Sequence, residues 1–455
     1  MPASASFADL LEGPALGLWW GVPFLGLLIT IAVAQTVWPA RWERHYGTLT
    51  GLWIIAAVVP LIARFGTNGL TALVRLLLLE YAPFAVSILA LYIIAGGIHI
   101  RSRMSGHPAE NALLLALGTL ASGVLGTPGS TLLFLPVLLK SNRWRRHRVH
   151  SVLFLIFVVC NIGGGFSPIG PPLLIGYLKG VPFLWTVRMM LLPTAFVSAL
   201  LIAAYFALDS LLLFRREDPE ARASHRQEHD VIRLEGATNL LLLCGAIGLL
   251  IFCGSWQTGV AVPLAGVTIP APDLLRLVGL SALAAASLAL TPKGIRAANE
   301  FSWLPMKEVV VIFAGIFATI LPILAILEAG ANGALSGLIR MVTGTDGQPI
   351  NWAYFAASGF LSSFLDNAPT FLVFFNAAGG DPVALTGPNA TTLVAISAGA
   401  SFWGGLTYIG NAPNFMVRTM SEQRGVRMPT FIAYLAWSAA VLLPTFALTA
   451  WVFFP

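Results

Sequence analysis

Apolar runs of about 20 residues recur along the entire chain of 455 residues, and they limit its fold more than any other feature. Each run is long enough to cross the roughly 30 Å hydrocarbon layer of a bilayer as an α-helix. Only 10% of the residues are charged, whereas soluble domains carry about 25%. The sequence therefore predicts an all-α polytopic membrane protein.

The start of the chain and its cysteines agree with this class. No basic segment precedes the first apolar run, so we expect that run to be retained as a span and not cleaved as a signal. Cys160, Cys244 and Cys253 lie inside apolar runs and have no paired spacing. This pattern predicts packing residues, and neither disulfides nor a metal site.

The distribution of basic residues predicts the topology. Twenty of the 26 Lys and Arg residues fall in six polar segments, at 41–44, 101–103, 140–148, 215–233, 293–307 and 418–427. Such residues are held on the cytoplasmic side during insertion. We therefore expect an inner or plasma membrane protein whose two termini lie outside, in the periplasm. The net charge of +6 is a topology signal and does not indicate a nucleic-acid partner.

One path through the bilayer places all six basic segments inside. It needs two re-entrant hairpins, one from the cytoplasm at about 110–140 and one from outside at about 354–378. It also needs ten spans, near 18–39, 48–66, 82–100, 150–178, 183–213, 237–256, 274–292, 308–328, 390–416 and 429–453.

The two halves of the chain also resemble each other at a constant offset of 240 residues. The segment "SGVLGTPGSTLLF" (122–134) aligns with "SSFLDNAPTFLVF" (362–374) without a gap. The same offset aligns "GGFSPIG" (164–170) with "GGLTYIG" (404–410). With the opposite hairpin directions, this predicts inverted-topology repeats at 1–235 and 236–455, an arrangement characteristic of secondary transporters.

Glycine and proline interrupt helical geometry at 126–130, 161–172, 366–370 and 404–414. Irregular backbone at membrane depth exposes polar groups at a cost of several kcal/mol each, unless protein or a solute satisfies them. Hydroxyl, amide, carbonyl and carboxylate oxygens are ligands that hard cations such as Na⁺ prefer, and half-helix N-termini favour an anion. The predicted ion- or substrate-binding residues are Thr127, Ser130, Asn161, Ser167, Ser363, Asp366, Asn367, Thr370, Thr407, Asn411 and Asn414, with Asp366, Asn367 and Asn411 as Na⁺ ligands.

Asp366 has two interpretations. It can cap the returning arm of the second hairpin, or it can serve as a cation ligand for which a proton and Na⁺ compete. Insertion of a carboxylate at the bilayer centre costs at least about 2.5–3.5 kcal/mol, so such a residue is rarely kept without a role. The amides of Asn161 and Asn411 can equally satisfy freed backbone, and the hydroxyls can bond to their own helices.

The segments "SSFLDNAPT", "NIGGGFSPIG", "FAGIFATILPILAIL" and "TYIGNAPNFMV" resemble the ion-transporter superfamily. Over about residues 48–453 the chain is most similar to the branch of sodium:proton antiporters and citrate transporters, with NhaD-like and CitMHS-like proteins. The resemblance implies an elevator-type transporter: a scaffold that usually forms a homodimer, and a mobile domain of two hairpins and two broken helices. In the related dicarboxylate/sodium symporters the hairpin tips bind Na⁺ and carboxylate, and the corresponding residues here are Thr127, Ser130, Asn367 and Thr370.

The chain departs from the family pattern at two positions. Gly126 stands opposite Asp366 in the repeat, where NhaD-like antiporters tend to have an acid in the first hairpin. Gly170 runs directly into Pro171, where relatives commonly have an aspartate. Two missing acids argue against multi-proton, electrogenic exchange.

The sequence predicts a secondary active transporter that works by alternating access, with no cofactor other than Na⁺ as coupling or transported ion. The first hypothesis is one-for-one cation/proton antiport on Asp366. The alternative is sodium- or proton-coupled transport of citrate or another carboxylate, although the absence of Lys and Arg at the tips disfavours a trianion that travels without cations. An intramembrane hydrolase needs an acid pair, a Ser/His set or a metal site. We find a single deep acid and expect no enzyme activity.

Overall fold

The computed structural model describes residues 6–101, 104–168, 171–220, 233–256, 259–264, 267–299, 301–344, 347–365 and 367–455. These residues are mostly helical. In the first half the α-helices are α1 Phe7–Leu10, α2 Val22–Val37, α3 Pro39–Leu76, α4 Ala82–Ala95, α5 Pro108–Ser141, α6 Val149–Val158, α7 Pro171–Leu178 and α8 Phe183–Leu208. In the second half they are α9 Ala237–Ser255, α10 Ala271–Leu290, α11 Lys293–Ala298, α12 Leu304–Glu328, α13 Ser336–Met341, α14 Asn351–Ser362, α15 Asn367–Ala377, α16 Pro382–Thr386, α17 Ala390–Phe402, α18 Ala412–Gln423 and α19 Phe431–Phe453.

Short elements complete the fold. The 3₁₀ turns are Gly13–Ala15, Leu18–Gly21, Ile162–Phe166, Phe214–Arg216, Gly330–Asn332 and Trp403–Leu406, and the π turns are Leu77–Tyr81 and Asp209–Leu213. Four short strands depart from the all-α expectation: β1 His99–Arg101, β2 Arg233–Glu235, β3 Ala261–Leu264 and β4 Val267–Pro270. β1 pairs antiparallel with β2, and β3 with β4, so the first pair ties the end of α4 to the start of α9.

Seven described helical segments are long and apolar enough to cross a membrane. They are Arg44–Ala95, Pro108–Ser141, Val149–Phe166, Phe183–Arg216, Ala271–Leu290, Met306–Glu328 and Phe431–Phe453. Three shorter apolar helices, Leu18–Ile31, Ala237–Cys253 and Ala390–Leu406, lie at other predicted spans. The chain is therefore a mostly helical, multi-pass membrane protein, as its composition predicts.

The 52-residue segment Arg44–Ala95 reverses direction at Gly66, whose backbone has φ +53° and ψ −125°. Trp42, before the turn, donates its indole N–H to Glu308 Oε1 at 3.2 Å. Tyr92, well after the turn, donates its hydroxyl to the carbonyl of Ser302. Both partners lie at the start of α12, so the chain runs along α12 and returns. The third span was predicted at 82–100, whereas the returning helix begins directly after Gly66 and ends at Ala95.

A second reversal occurs at Gly126 within α5, with φ +71° and ψ +161°. Ser130 Oγ donates to the Gly118 carbonyl at 2.6 Å, whereas twelve residues of straight helix span about 18 Å. A Cβ atom added to Gly118 would lie 3.2 Å from Phe134 Cγ. The two arms of α5 therefore pack against each other and form a helical hairpin, here called the first hairpin.

Gly126 offers a direct test of this reversal. Its φ and ψ lie in a region that is essentially restricted to glycine and costs other residues about 1–3 kcal/mol. We expect Gly126→Ala to lower the free energy of unfolding by about that amount in an SDS titration in mixed micelles. Gly129→Ala is the matched control, because its Cβ would meet only Leu125 Cβ at 3.5 Å, an ordinary contact. Equal stability of the two variants would contradict the assigned reversal.

Helices α14 and α15 form the second hairpin. Tyr354 on α14 and Phe374 on α15 place their ring centroids 6.2 Å apart, although 20 residues separate them. Asp366, which stands between the two arms in the sequence, lies outside the described residues. The buried residues of α17 pack against both arms, and Gly399 is so close that an added Cβ would lie 2.1 Å from Ser358 Oγ.

A buried ion-pair cluster lies where the first hairpin meets the end of α8. Arg145 donates from both terminal nitrogens to the carboxylate of Asp209, one bond measuring 2.9 Å. His150 Nε2 lies 3.0 Å from Asp209 Oδ1, and Tyr205 donates its hydroxyl to Oδ2 at 3.1 Å. Burial opposes the charge of Arg145, but the bonds and charge of Asp209 outweigh it and hold the Arg145 pKa above its usual value. The side chain of Asp209 is fully buried, so its charge is compensated by these protein groups and not by solvent.

Candidate functional site

Two interrupted helices supply the backbone of the candidate site. α6 ends at Val158, and the chain passes through the 3₁₀ turn Ile162–Phe166 before α7 begins. α17 ends at Phe402 and passes through the turn Trp403–Leu406 before α18 begins. Glycine supplies three of the five residues of the first turn and two of the four residues of the second, and prolines occupy the first turns of α7 and α18. Glycine permits the irregular backbone, and proline fits a first helical turn because its missing N–H would be unpaired there anyway.

Three asparagines join the two breaks to each other. Asn161 Nδ2 donates to Asn414 Oδ1 at 2.9 Å, and Asn411 Nδ2 approaches Asn161 Oδ1 at 3.3 Å. Asn411 also donates to the Cys160 carbonyl at 2.7 Å, and Asn414 donates to the Gly404 carbonyl at 2.8 Å. All three side chains are buried. The amides thus satisfy carbonyls freed by the breaks and also couple the two halves of the chain.

Each break is also bonded to the hairpin of its own half. Thr407 Oγ1 donates to the Ser363 carbonyl at 2.5 Å, and Ser167 Oγ donates to the Gly123 carbonyl. Thr407 and Ser363 lie 240 positions after Ser167 and Gly123, respectively. The two bonds are therefore equivalent under the offset that relates the two halves in sequence.

A second equivalent pair of contacts places the hairpin tips against the breaks. A Cβ atom on Gly164 would lie 2.9 Å from Thr127 Cγ2. A Cβ atom on Gly404 would lie 3.1 Å from the side-chain amide of Asn367. Both residues of the second pair again follow those of the first by 240 positions. A Cβ at either break would therefore crowd the tip side chain, and at Gly404 it would also lie 2.7 Å from Asn161 Oδ1.

The tip of the second hairpin is held by a polar cluster. Ser362 Oγ donates to the Ala400 carbonyl at 2.7 Å. With its amide oriented to satisfy its neighbours, Asn367 donates to Ser362 Oγ at 2.7 Å and to the Gly410 carbonyl at 3.3 Å. Ser363 Oγ adds a bond to the Trp403 carbonyl at 3.1 Å.

The predicted site residues divide into three groups. Ser130 bonds back to its own hairpin, as described above, and Thr370 is buried one turn beyond the second tip. Asp366, the predicted acid of the site, lies outside the described residues. The remaining residues meet through the contacts above, and these are Thr127, Asn161, Ser167, Ser363, Asn367, Thr407, Asn411 and Asn414.

Three further hydroxyls were missed by the sequence interpretation. Thr194 Oγ1, Ser198 Oγ and Ser401 Oγ are buried and have no hydrogen-bond partner within the described parts of the chain. Thr194 Oγ1 lies 2.6 Å from the position of a Cβ on Gly165, which places it at the first break. Buried polar groups are normally paired, so these hydroxyls are candidates for contact with a bound cation or water. Ser401 follows Asn161 by 240 positions, so extending the repeat alignment would have found it.

The described part of the site carries no charged ligand of its own. Within the described residues no group of three or more His, Cys, Asp or Glu side chains forms a metal centre. Arg418, one turn beyond Asn414 on α18, bonds to Glu422 at 3.2 Å and lies 4.9 Å from the Tyr408 ring. The described part of the site is thus built from neutral oxygens and amides, the kinds of group that are able to coordinate a hard cation.

Comparison with known proteins identifies the family. A family model described as "Putative citrate transport" matches residues 13–454. The chain belongs to this family. Two relatives, an uncharacterised transporter of Mycobacterium bovis and one of Mycobacterium tuberculosis, are each 25% identical over 357 residues, which is 76% of this chain and 77% of each relative. The family membership confirms the resemblance to the ion-transporter superfamily, and both relatives are named as transporters.

Proposed function

We propose that this member of the citrate transport family carries a citrate-like carboxylate across the membrane together with cations. The observation that carries the proposal is the neutral polar centre, in which asparagines of both breaks and the hairpin tips converge. Amide and hydroxyl oxygens there can strip water from Na⁺, and bound cations offset the charge of a carboxylate that no described Lys or Arg contacts.

We further propose an elevator-type mechanism built on inverted repeats at 1–235 and 236–455. Two pairs of equivalent contacts at an offset of 240 residues support the repeats. In this mechanism the hairpins and the broken helices move as one domain. The first hairpin enters the membrane from the cytoplasm, and the second enters it from outside. We propose that the scaffold forms a homodimer and that both termini lie outside.

The second candidate is electroneutral cation/proton antiport. It is favoured by the position of Asp366 in the sequence, directly before Asn367, whose amide belongs to the polar cluster of the second tip. In that case H⁺ and Na⁺ alternate on Asp366, and no carboxylate travels.

Reconstituted proteoliposomes separate the two candidates. We expect labelled citrate to accumulate when an inward Na⁺ or proton gradient is imposed. Asp366→Asn should lower the initial rate of citrate uptake at least about tenfold because cation binding is lost, and a tenfold change is equivalent to about 1.4 kcal/mol. Asp381→Asn is the matched control, because Asp381 is exposed and caps α16 outside the site.

The same vesicles, loaded with a pH-sensitive dye, test the antiporter. Dissipation of a preformed pH gradient by Na⁺ without any carboxylate, sensitive to Asp366→Asn, would replace the first proposal by the second. Uptake that is the same for Asp366→Asn and the control would contradict the role of Asp366 in both.

A further inference from the structure

A polar cavity lies away from the paired breaks and is lined by residues of the basic segments at 140–148 and 418–427. It has a volume of about 460 Å³ and opens between His99 of β1, Pro136 and Lys140 of the first hairpin, and Gln423 of α18. A neighbouring cavity of about 290 Å³ shares Pro136 and Gln423 with it. Together they form one recess between the first hairpin, the end of α4 and the end of α18.

The recess collects positive charge from separate parts of the chain. Lys140, Arg143, Arg148 and Arg424 all line it, and no Asp or Glu of the described residues does. In the described chain Lys140, Arg143 and Arg148 form no ion pair with a carboxylate, and Arg148 instead donates to the Gly425 carbonyl at 2.9 Å. Convergent like charges repel one another and raise the local concentration of anions.

The contrast with Arg145 shows that this arrangement is more than a topology signal. Retention of basic residues on one side explains their number, but it does not explain why some are paired and others are not. Arg145, in the same loop, is neutralised by Asp209 within the protein. Arg143 and Arg148, two and three positions away, face a cavity large enough for an anion.

We propose that this recess binds an oxyanion, either a carboxylate or phosphate from solution or the phosphate of a lipid headgroup. Rings of Lys and Arg serve as anion-selective elements in other pores. The ligand would contact Lys140 and Arg143, which are exposed, and Arg148 and Arg424, which are half-buried in the same lining. The inference concerns a site distinct from the paired breaks and does not depend on which solute is transported.

Direct binding tests the proposal on the full chain in nanodiscs of phosphatidylcholine. We expect calorimetry to detect pyrophosphate binding that weakens as salt rises. The double variant Lys140→Gln/Arg143→Gln should raise the Kd about fivefold, in keeping with the strength of exposed charge pairs. Arg146→Gln is the matched control, because Arg146 is exposed in the same loop and does not line the recess.

A second arm identifies a lipid source. Native mass spectrometry counts the phosphatidylglycerol molecules retained by each variant, and fewer on the double variant than on Arg146→Gln supports a headgroup as the ligand. If the double variant and the control bind pyrophosphate equally and retain equal lipid, the proposal is wrong. Asp366→Asn should bind pyrophosphate normally, so failure of the transport proposal remains distinguishable from failure of this one.

Discussion

Replacement of Arg145 by methionine should destabilise the protein by about 3–5 kcal/mol, because it leaves the carboxylate of Asp209 buried without its principal counterion. Both side chains are fully buried, so solvent cannot compensate. Arg145 Nη1 also donates to the Gly106 carbonyl at 3.1 Å, and this bond is lost as well. An SDS titration of the unfolding free energy, performed in mixed micelles, measures the effect.

Two variants make this prediction specific. Arg146→Met removes an exposed neighbouring charge and should change stability by less than about 0.5 kcal/mol. Arg145→Met/Asp209→Leu removes both charges, and we expect it to recover part of the loss, since apolar replacement of a buried pair is often tolerated. Recovery should be incomplete because His150 and Tyr205 lose their acceptor. If Arg145→Met is as stable as Arg146→Met, the ion pair between Arg145 and Asp209 is not formed.

The second large effect is expected at Asn161, on transport. Asn161→Ala removes the donor to Asn414 Oδ1 and the donor to the Ile156 carbonyl, at 2.9 and 2.7 Å. Each buried acceptor left unpaired costs about 1–3 kcal/mol, and the first break loses its bond to the second. We expect initial citrate uptake in proteoliposomes to fall at least about tenfold, equivalent to 1.4 kcal/mol.

The Asn161 effect can be separated from a general loss of folding. Asn376→Ala is the matched control, because Asn376 is exposed on α15, outside the paired breaks. Asn161→Asp keeps a side-chain oxygen at this position but removes the amide donor. A change in the Na⁺ dependence of its uptake would therefore show that residue 161 acts on cation binding and not only on folding. If Asn161→Ala transports as well as Asn376→Ala, the amide network has only a structural role. The assignment of the binding site to the paired breaks is then wrong.

Much of the architecture was readable from the sequence because glycine and proline have strong local effects. Apolar runs predicted a helical membrane protein, which the structure and the family confirm. The reversal at Gly126 and the irregular backbone at 161–166 and 403–411 occur where glycine clusters interrupt apolar runs. The repeat relationship and the insertion directions remain predictions, although the contacts at the 240-residue offset agree with them.

Other features depend on long-range contacts that no local pattern encodes. The pairing of Arg145 with Asp209 joins residues 64 positions apart, and a lone acid near a span end gave no hint of its partner. Arg75 lies 5.1 Å from the ring of Phe7, which belongs to a separate helix. Glu308 accepts bonds from Trp42 and Thr419, which lie 266 and 111 positions away.

The equivalent bonds at Ser167 and Thr407 have a consequence for energy balance. In the proposed elevator mechanism both partners of each bond belong to the moving domain, so the bonds persist while that domain travels. Bonds that are common to both states add nothing to the energy difference between the inward- and outward-facing populations. Since every 1.4 kcal/mol of such a difference shifts their ratio tenfold, a carrier whose internal bonds are preserved leaves a modest ion gradient to decide the direction of turnover.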